Sequence, residues 1–333
     1  MGATQASAGM LAPYLEARDD GPLLDLTSRS LGLFDEFVEQ VSVASGATIR
    51  YERTGTLDVA LTDEGCHRLT SARDGLQTRG VRAEWLDAGD VRAREPLLAD
   101  QVRGGLLIPA HGYIAARQFT TALETAARRW GARPLEHARA TRIARSGRDL
   151  VVETDRGPRS ARAVVLAGGS WSGQVEIEAI AGRLPVRPVR GQLLELTWAG
   201  PTLRRVVWGE RCYVVPWQDG TVLVGATVED VGFDERTTVA GIRELMDAVC
   251  EILPRARSAS LTAARAGLRP GTPDGLPIIG ASTVLPDLIY ATGHYRNGIL
   301  LAPLTARLVA DLVLDGRADP ILASVAPGRF GAL

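Results

Sequence analysis

The stretch GLRPGTPDGLPIIG, Gly267 to Gly280, is followed closely by YATGHYRNGILLAPLTARLV, Tyr290 to Val309. Each carries an arginine set among residues that restrict or free the backbone, Arg269 in the first and Arg296 in the second, which also holds Arg307 further on. Pro270, Pro273 and Pro277 limit φ around Arg269, so this segment reads as a stiff loop that aims a guanidinium. Gly293 to Gly298 reads as a loop whose backbone can approach a flat ligand, because glycine has no Cβ. An apolar helical pattern from Ile299 to Leu314 follows, which places these amides at a helix start, where N–H groups stabilise negative charge. An aimed guanidinium beside such a helix start points to a carboxylate substrate held next to an electron-accepting ring.

Working outward, the 333 residues suffice for one large domain or two intertwined ones. A net charge of -1 gives no steering toward nucleic acid or an acidic substrate. All 38 basic residues are arginine, which excludes a Schiff-base lysine within the chain. Cys66, Cys212 and Cys250 are widely spaced and the four histidines do not cluster, so neither a disulfide framework nor a metal site is expected. Ser170 and Ser172 do not form a nucleophile elbow, and no His/Asp set accompanies them. No apolar run approaches ~18 residues, so no membrane helix is expected and the cytoplasm is the expected compartment.

Periodicity predicts helices over 20–41, 116–130 and 239–253. In the second, Phe119, Leu123, Ala126, Ala127 and Trp130 form the expected buried stripe, ended by Gly131. Tyr51 to Leu61 reads as a strand pair, and Ala140 to Ala144 and Leu150 to Thr154 as strands turned by Ser146-Gly147. Ala163 to Ala167 is a continuous apolar run, as in a parallel strand buried on both faces, with a helix expected after Trp171. Gln192 to Leu196, Tyr213 to Pro216 and Thr221 to Val224 read as an antiparallel sheet, with a turn at Asp219-Gly220. Leu288 to Ala291 reads as one more strand. Strand types therefore interleave along the chain, as in an α/β protein whose two domains exchange segments.

Several segments together resemble the D-amino-acid-oxidase superfamily of flavoproteins, nearest its glycine oxidase branch. They are SAGMLAP (Ser7 to Pro13), VVLAGGSWSG (Val164 to Gly173), PVRGQ (Pro188 to Gln192), CYVVP (Cys212 to Pro216), VGAT (Val224 to Thr227) and GHYRNGILLAP near the C-terminus. The last is the most specific. The resemblance implies a mixed α/β fold: an FAD-binding Rossmann-like domain interleaved with an antiparallel-sheet substrate domain. Residues 1–50, 115–185 and 265–333 would form the first, and 51–114 and 186–264 the second. In the family a G-x-G-x-x-G strand-turn-helix opens the chain. That motif is absent from this sequence, which reads as a member lacking its first βαβ unit.

By the same resemblance, Arg269 would hold the substrate carboxylate, with Tyr213 donating a second hydrogen bond and Arg296 near both flavin and substrate. A tyrosine on an alternating strand is otherwise a core residue. Thr4 would pass the diphosphate, Ala8, Gly9 and Met10 would wrap the isoalloxazine, and Ala140 would meet the adenine. The backbone of His294, Tyr295, Arg296, Asn297, Gly298, Ile299 and Leu300 would face the flavin pyrimidine edge. Arg211 and Val228 depart from the glycine oxidase pattern, which has histidine and methionine there, and this leaves the substrate's size open.

The implied activity is FAD-dependent oxidation of glycine or a similar small amino acid, by hydride transfer to flavin N5. Electrons would pass to oxygen, giving peroxide, and the imine would feed thiazole assembly for thiamine, with thiazole synthase as its acceptor. Alternatives are a sarcosine or D-amino-acid oxidase, a dehydrogenase, and a truncated remnant unable to hold FAD. A homo-oligomer is compatible with all of these; nucleic-acid and membrane partners are not expected.

Overall fold

The computed structural model describes residues 2–16 and 21–333. A 3₁₀ turn, Ala3–Ala6, leads into β1 (Met10–Leu11), α1 (Pro13–Glu16), α2 (Pro22–Gly32) and α3 (Phe34–Ser45). Then come β2 (Tyr51–Glu52), β3 (Thr56–Ala60), α4 (Asp63–Thr78), β4 (Glu84–Asp87), α5 (Ala88–Arg94), β5 (Gly104–Ile108), β6 (Gly112–Ile114) and α6 (Ala116–Arg129). The middle of the chain supplies β7 (Ala140–Ser146), β8 (Asp149–Thr154), β9 (Arg159–Ala161), β10 (Val164–Leu166), β11 (Glu176–Ile177) and β12 (Arg187–Thr197). The remainder is β13 (Val206–Trp208), β14 (Tyr213–Pro216), β15 (Thr221–Gly225), α7 (Val239–Ile252), β16 (Ser260–Gly271), β17 (Ile278–Ala281), β18 (Leu288–Thr292) and α8 (Ala302–Asp315).

The largest sheet runs β16-β12-β15-β14-β13-β3-β5-β4. Its alternation builds two different faces. Leu194, Leu196, Val214, Val222 and Val224 pack on Leu245, Val249 and Ile252 of α7, whose first turn is capped by the Thr238 hydroxyl. Leu193, Val215 and Leu223 point the other way, toward Ala8, Tyr113 and Trp217. The cross-strand partners Leu193, Gly225 and Tyr213 therefore share the second face, as do Arg265, Gly267 and Arg269 of β16. Smaller sheets are β1-β6-β2, β11-β7-β8-β9 and β10-β18-β17, the last with β10 parallel to β18.

Several expectations need correction. The segment read as one helix over 20–41 is two, α2 and α3, joined through Leu33; Asp20 lies outside the described residues. The strands β2 and β3 do not pair: β2 joins β6, and β3 joins β13 and β5, because Gly55 at φ 80 turns the chain between two sheets. Trp130 caps α6 instead of joining its stripe and is 83 % exposed; the buried face is Ala116, Phe119 and Ala122. β10 is an edge strand among the described residues, with Val165 41 % exposed, so it is not covered on both faces. A 3₁₀ turn, Gly169–Gln174, stands where a helix was expected after Trp171.

Two corrections bear on the site. Arg269 sits on β16, not on a loop, and the expected domain boundary at residue 265 falls inside that strand. Pro270 is tolerated there because, among the described residues, β16 is an edge strand whose one strand neighbour is β12, so a missing N–H on the open side breaks no ladder bond. The last helix starts at Ala302, three residues later than read. Pro303 explains it: proline fits the first turn, whereas a start at Ile299 would put it inside the helix, against the preceding turn.

Candidate active site

The sheet face that carries Tyr213 and Arg269 closes one wall of a cavity of about 650 Å³. Two glycines let both side chains lie flat on the sheet. A Cβ at Gly191 would run into the Arg269 guanidinium, and one at Gly225 into the Tyr213 ring and hydroxyl. The Arg269 Nη1 donates to the carbonyl oxygens of Arg190 (3.2 Å) and Thr227 (3.0 Å). Among the described residues no carboxylate lies within salt-bridge reach of it. Burial pulls its pKa below the ordinary arginine value, with Tyr213 opposing and Arg296 adding to the fall. Burial also raises the Tyr213 hydroxyl to about 12 against the pull of Arg269, so it is a neutral donor across the physiological range. A partly buried cation and a neutral hydroxyl on one wall have the chemistry to receive a carboxylate.

The facing wall is the segment after β18. Gly293 (φ 75) abuts Thr272, where a Cβ would not fit, and the Tyr295 N–H donates to the Pro270 carbonyl (3.0 Å). That bond ties this segment to the strand of Arg269. Arg296 lies with Cζ 5.4 Å from the Tyr295 ring and Nη1 3.9 Å from Glu16 Oε2. Burial works against the Arg296 charge, but Glu16 and Tyr295 outweigh it and raise its pKa. His294 is held by Thr305 (Nε2 to Oγ1, 3.0 Å), and burial lowers its pKa to about 4, so it is neutral. In the turn, the Asn297 N–H donates to the His294 carbonyl and the Leu301 N–H to that of Asn297. Among the described residues, no backbone carbonyl accepts from the N–H groups of Gly298 or Ile299, which line the cavity.

The floor joins distant segments. Ser170 Oγ donates to the Leu268 carbonyl (2.8 Å), and Ser172 Oγ meets Thr292 Oγ1 at 2.7 Å. Gly2 bridges Leu268, and Gly267 admits the Ala3–Ala6 turn, because a Cβ there would press on Ala3 and Ala6. Gly9, at φ 71, packs so closely on the Ile114 carbonyl that no side chain fits.

Of the residues singled out in the sequence, the cavity brings together Thr4, Ala8, Gly9, Met10, Tyr213, Arg269, His294, Tyr295, Arg296, Asn297, Gly298 and Ile299. It does not bring in Ala140, at the start of β7, or Leu300, which is buried in the core beside Phe34 and Ile114. Arg211 and Val228 both reach it; Arg211 is 53 % exposed and pairs with Glu251 at 3.3 Å. Sequence reading missed Glu16, Trp208 and the two supporting glycines. Glu16 follows the SAGMLAP segment closely, and Gly191 and Gly225 lie inside PVRGQ and VGAT, but only the sheet register shows what they support.

Known proteins share the sequence and the fold over most of the chain. The chain is 36 % identical over 334 residues to the bifunctional protein ThiO/ThiG of Synechocystis sp., an alignment covering 98 % of this chain and 48 % of that protein. It thus spans about half the length of the ThiO/ThiG relatives it matches. With the glycine oxidase of Geobacillus kaustophilus it shares 33 % identity over 314 residues, 94 % of this chain and 83 % of the relative. The crystal structure of glycine oxidase from Geobacillus kaustophilus superposes with a TM-score of 0.91 at 32 % identity, covering 100 % of this chain and 88 % of the other. Iminodiacetate oxidase from Chelativorans sp. BNC1 superposes at 0.88 with 25 % identity, covering 98 % and 89 %. The family model for FAD dependent oxidoreductases (DAO) matches residues 1–312. With that match spanning nearly the whole chain, this protein belongs to the DAO family of FAD-dependent oxidoreductases.

Proposed function

We propose that this chain oxidises glycine or a similarly small amino acid, with Arg269 and Tyr213 holding the substrate carboxylate. The observation that carries the reading is the Arg269 guanidinium. It is partly buried and, among the described residues, anchored through Nη1 alone, on two neutral carbonyls, on the same wall as the Tyr213 hydroxyl. A carboxylate docked there supplies the charge that burial otherwise leaves uncompensated.

The residues present fit the ring end of a flavin. Gly9, Gly168, Gly169 and Gly298 give a cavity wall with little side-chain bulk, and among the described residues the N–H groups of Gly298 and Ile299 are not spent on backbone carbonyls. In this reading Ala8, Gly9, Met10 and the backbone from His294 to Ile299 surround the ring, and Thr4 lies toward the diphosphate. Residues 1–50, 115–185 and most of 265–333 form the cofactor part, and β16 stays with the substrate sheet. When bound, FAD supplies the hydride acceptor and passes electrons on to oxygen. The chain's own contribution is orientation. Arg269 and Tyr213 fix the carboxylate at two points, Arg296 and Glu16 close the side of the pocket, and the substrate's α-carbon is thereby held at one place and angle. No protein base is required when the bound amine is neutral.

Fusion to ThiG in the Synechocystis relative supports thiazole synthase as the acceptor of the imine, and the likeness to glycine oxidase of Geobacillus kaustophilus supports glycine as donor. Arg211 at the cavity mouth supports a second reading, a substrate bearing another acidic group on the amine. One experiment tests the proposal: the visible spectrum of the purified protein with FAD, before and after anaerobic glycine. Bleaching of the flavin band is expected. Parallel trials with sarcosine, D-alanine and iminodiacetate rank the donors, and peroxide under air separates oxidase from dehydrogenase. A protein that takes up no FAD, or whose flavin no amino acid bleaches, refutes the reading.

A further inference from the structure

We infer that Glu229, which does not line the cavity, is a positioning residue that sets the place of Arg269 through the two carbonyls that hold it. This rests on the carboxylate-binding reading of Arg269 given above. Arg269 Nη1 has two acceptors, the Arg190 and Thr227 carbonyls. Both of those residues are gripped by the one carboxylate of Glu229. Arg190 Nη2 reaches Glu229 Oε2 at 2.6 Å, and the Thr227 hydroxyl donates to Oε1. The backbones of Arg190 and Glu229 also exchange both N–H···O bonds, each 2.9 Å. The Arg190 carbonyl thus accepts from the Glu229 N–H and from Arg269 together.

The same network is tied into the fold. Gln192 Nε2 donates to Glu229 Oε1 (2.8 Å) and to the Thr238 hydroxyl (3.0 Å), and the Thr238 N–H returns to Gln192 Oε1 (2.8 Å). Thr238 caps α7, and Gly241 has no side chain because a Cβ there would strike the Gln192 amide. The Thr227 hydroxyl also accepts from the Gln192 N–H (2.9 Å). Burial alone would raise the Glu229 pKa, but Arg190, Thr227 and Gln192 together hold it below the ordinary carboxylate range, so it stays charged at neutral pH. Arg190 has a second carboxylate, Asp234, at 2.9 Å, so neutralising Glu229 does not strand a buried cation.

A residue that acts only through position changes where the carboxylate binds and not what happens to it afterwards. Glu229→Gln keeps the volume but turns one acceptor into a donor facing Arg190. Thr227→Val removes the second grip, and Thr227→Ser keeps it. The readout is the dissociation constant of glycolate, a small carboxylate without the amine, followed by its perturbation of the flavin absorbance in the FAD-loaded protein. Glu229→Gln and Thr227→Val are expected to weaken glycolate and raise the KM for glycine together by about tenfold, the order of one charge-assisted hydrogen bond, with kcat within about twofold. Thr227→Ser should restore wild-type binding. Unchanged glycolate affinity in both disrupting variants, whatever happens to their melting temperature, overturns the inference. Arg269→Gln is the control that separates the two levels. If it leaves glycolate binding intact, the carboxylate-site reading itself fails; if it abolishes binding while Glu229→Gln does not, only the positioning role fails. Should Glu229→Gln fold poorly, the Thr227 pair decides alone.

Discussion

The Arg269 guanidinium lies across Gly191, in the space a Cβ at that position would occupy. β12 and β16 pair antiparallel, with Gly191 opposite Gly267 and Val189 opposite Arg269, so the glycine sits diagonally beneath the arginine on one face. Gly191→Ala is therefore expected to displace the guanidinium while leaving the strand pairing intact. The KM for glycine should rise about tenfold or more, the loss of one charged hydrogen bond being worth ~1.5–3 kcal/mol. Steady-state kinetics with glycine checks this, and an unchanged KM would count against Arg269 as the carboxylate ligand.

Tyr213 gives a second test. Tyr213→Phe keeps the ring over Gly225 and removes one neutral donor, so a loss of about 1 kcal/mol, roughly fivefold in KM, is expected with kcat little affected. The pH dependence follows from its pKa of about 12. The hydroxyl stays protonated throughout the working range, so the KM for glycine should show no inflection from this group between pH 7 and about 10. An inflection in that window that vanishes in Tyr213→Phe would show the hydroxyl to be far more acidic than its burial implies.

His111 governs an acid limb of stability. It is buried, stacked on Tyr14 at 5.4 Å, and neither ring nitrogen has a partner among the described residues. Burial lowers its pKa to about 3, with Arg53 adding to the effect, while an unfolded histidine titrates near 6.5. Between these values the unfolded chain binds the extra proton and the folded one does not. Stability from this group is thus full above about pH 6.5 and lost progressively as pH falls toward 3, at ~1.4 kcal/mol per unit. His294, lowered to about 4, acts in the same direction over a narrower range. Thermal unfolding between pH 4 and 7 should show a shallower slope for His111→Leu than for the wild type. Equal slopes would mean that the ring is hydrated or partnered in the folded protein.

Much of this site was legible before the fold was known, and the reasons differ by residue. Arg269, Tyr213 and the turn from His294 to Ile299 sit in short motifs with unusual residue types, and the cavity gathers them from separate elements. Local signals misplaced their settings. The prolines around Arg269 read as a loop because an edge strand and a stiff loop tolerate proline equally well. The apolar run after Gly298 continues smoothly through Pro303, and only helix sterics move the start to Ala302. Gly191 and Gly225 lie inside the PVRGQ and VGAT segments, but nothing local tells what they or Glu229 support. Their meaning lies in cross-strand register, which pairs residues far apart in sequence and which periodicity cannot supply.

The cavity floor supplies the last prediction. The Thr292 hydroxyl meets Ser172 Oγ at 2.7 Å and donates to the Gly169 carbonyl at 3.2 Å, joining β18 to the turn after β10. Both side chains are buried. Thr292→Val conserves shape but leaves the Ser172 hydroxyl without this partner, at a cost of about 1–3 kcal/mol. Denaturant unfolding should show that loss as a lower midpoint with an unchanged slope. Since this contact lies under the glycine-lined wall at Gly168 and Gly169, weaker FAD retention should accompany it, measured by flavin release on dilution. Adding Ser172→Ala removes the stranded hydroxyl and should recover part of the stability. A double variant less stable than Thr292→Val by the full cost of a second, independent bond would show that the two hydroxyls do not act as a pair.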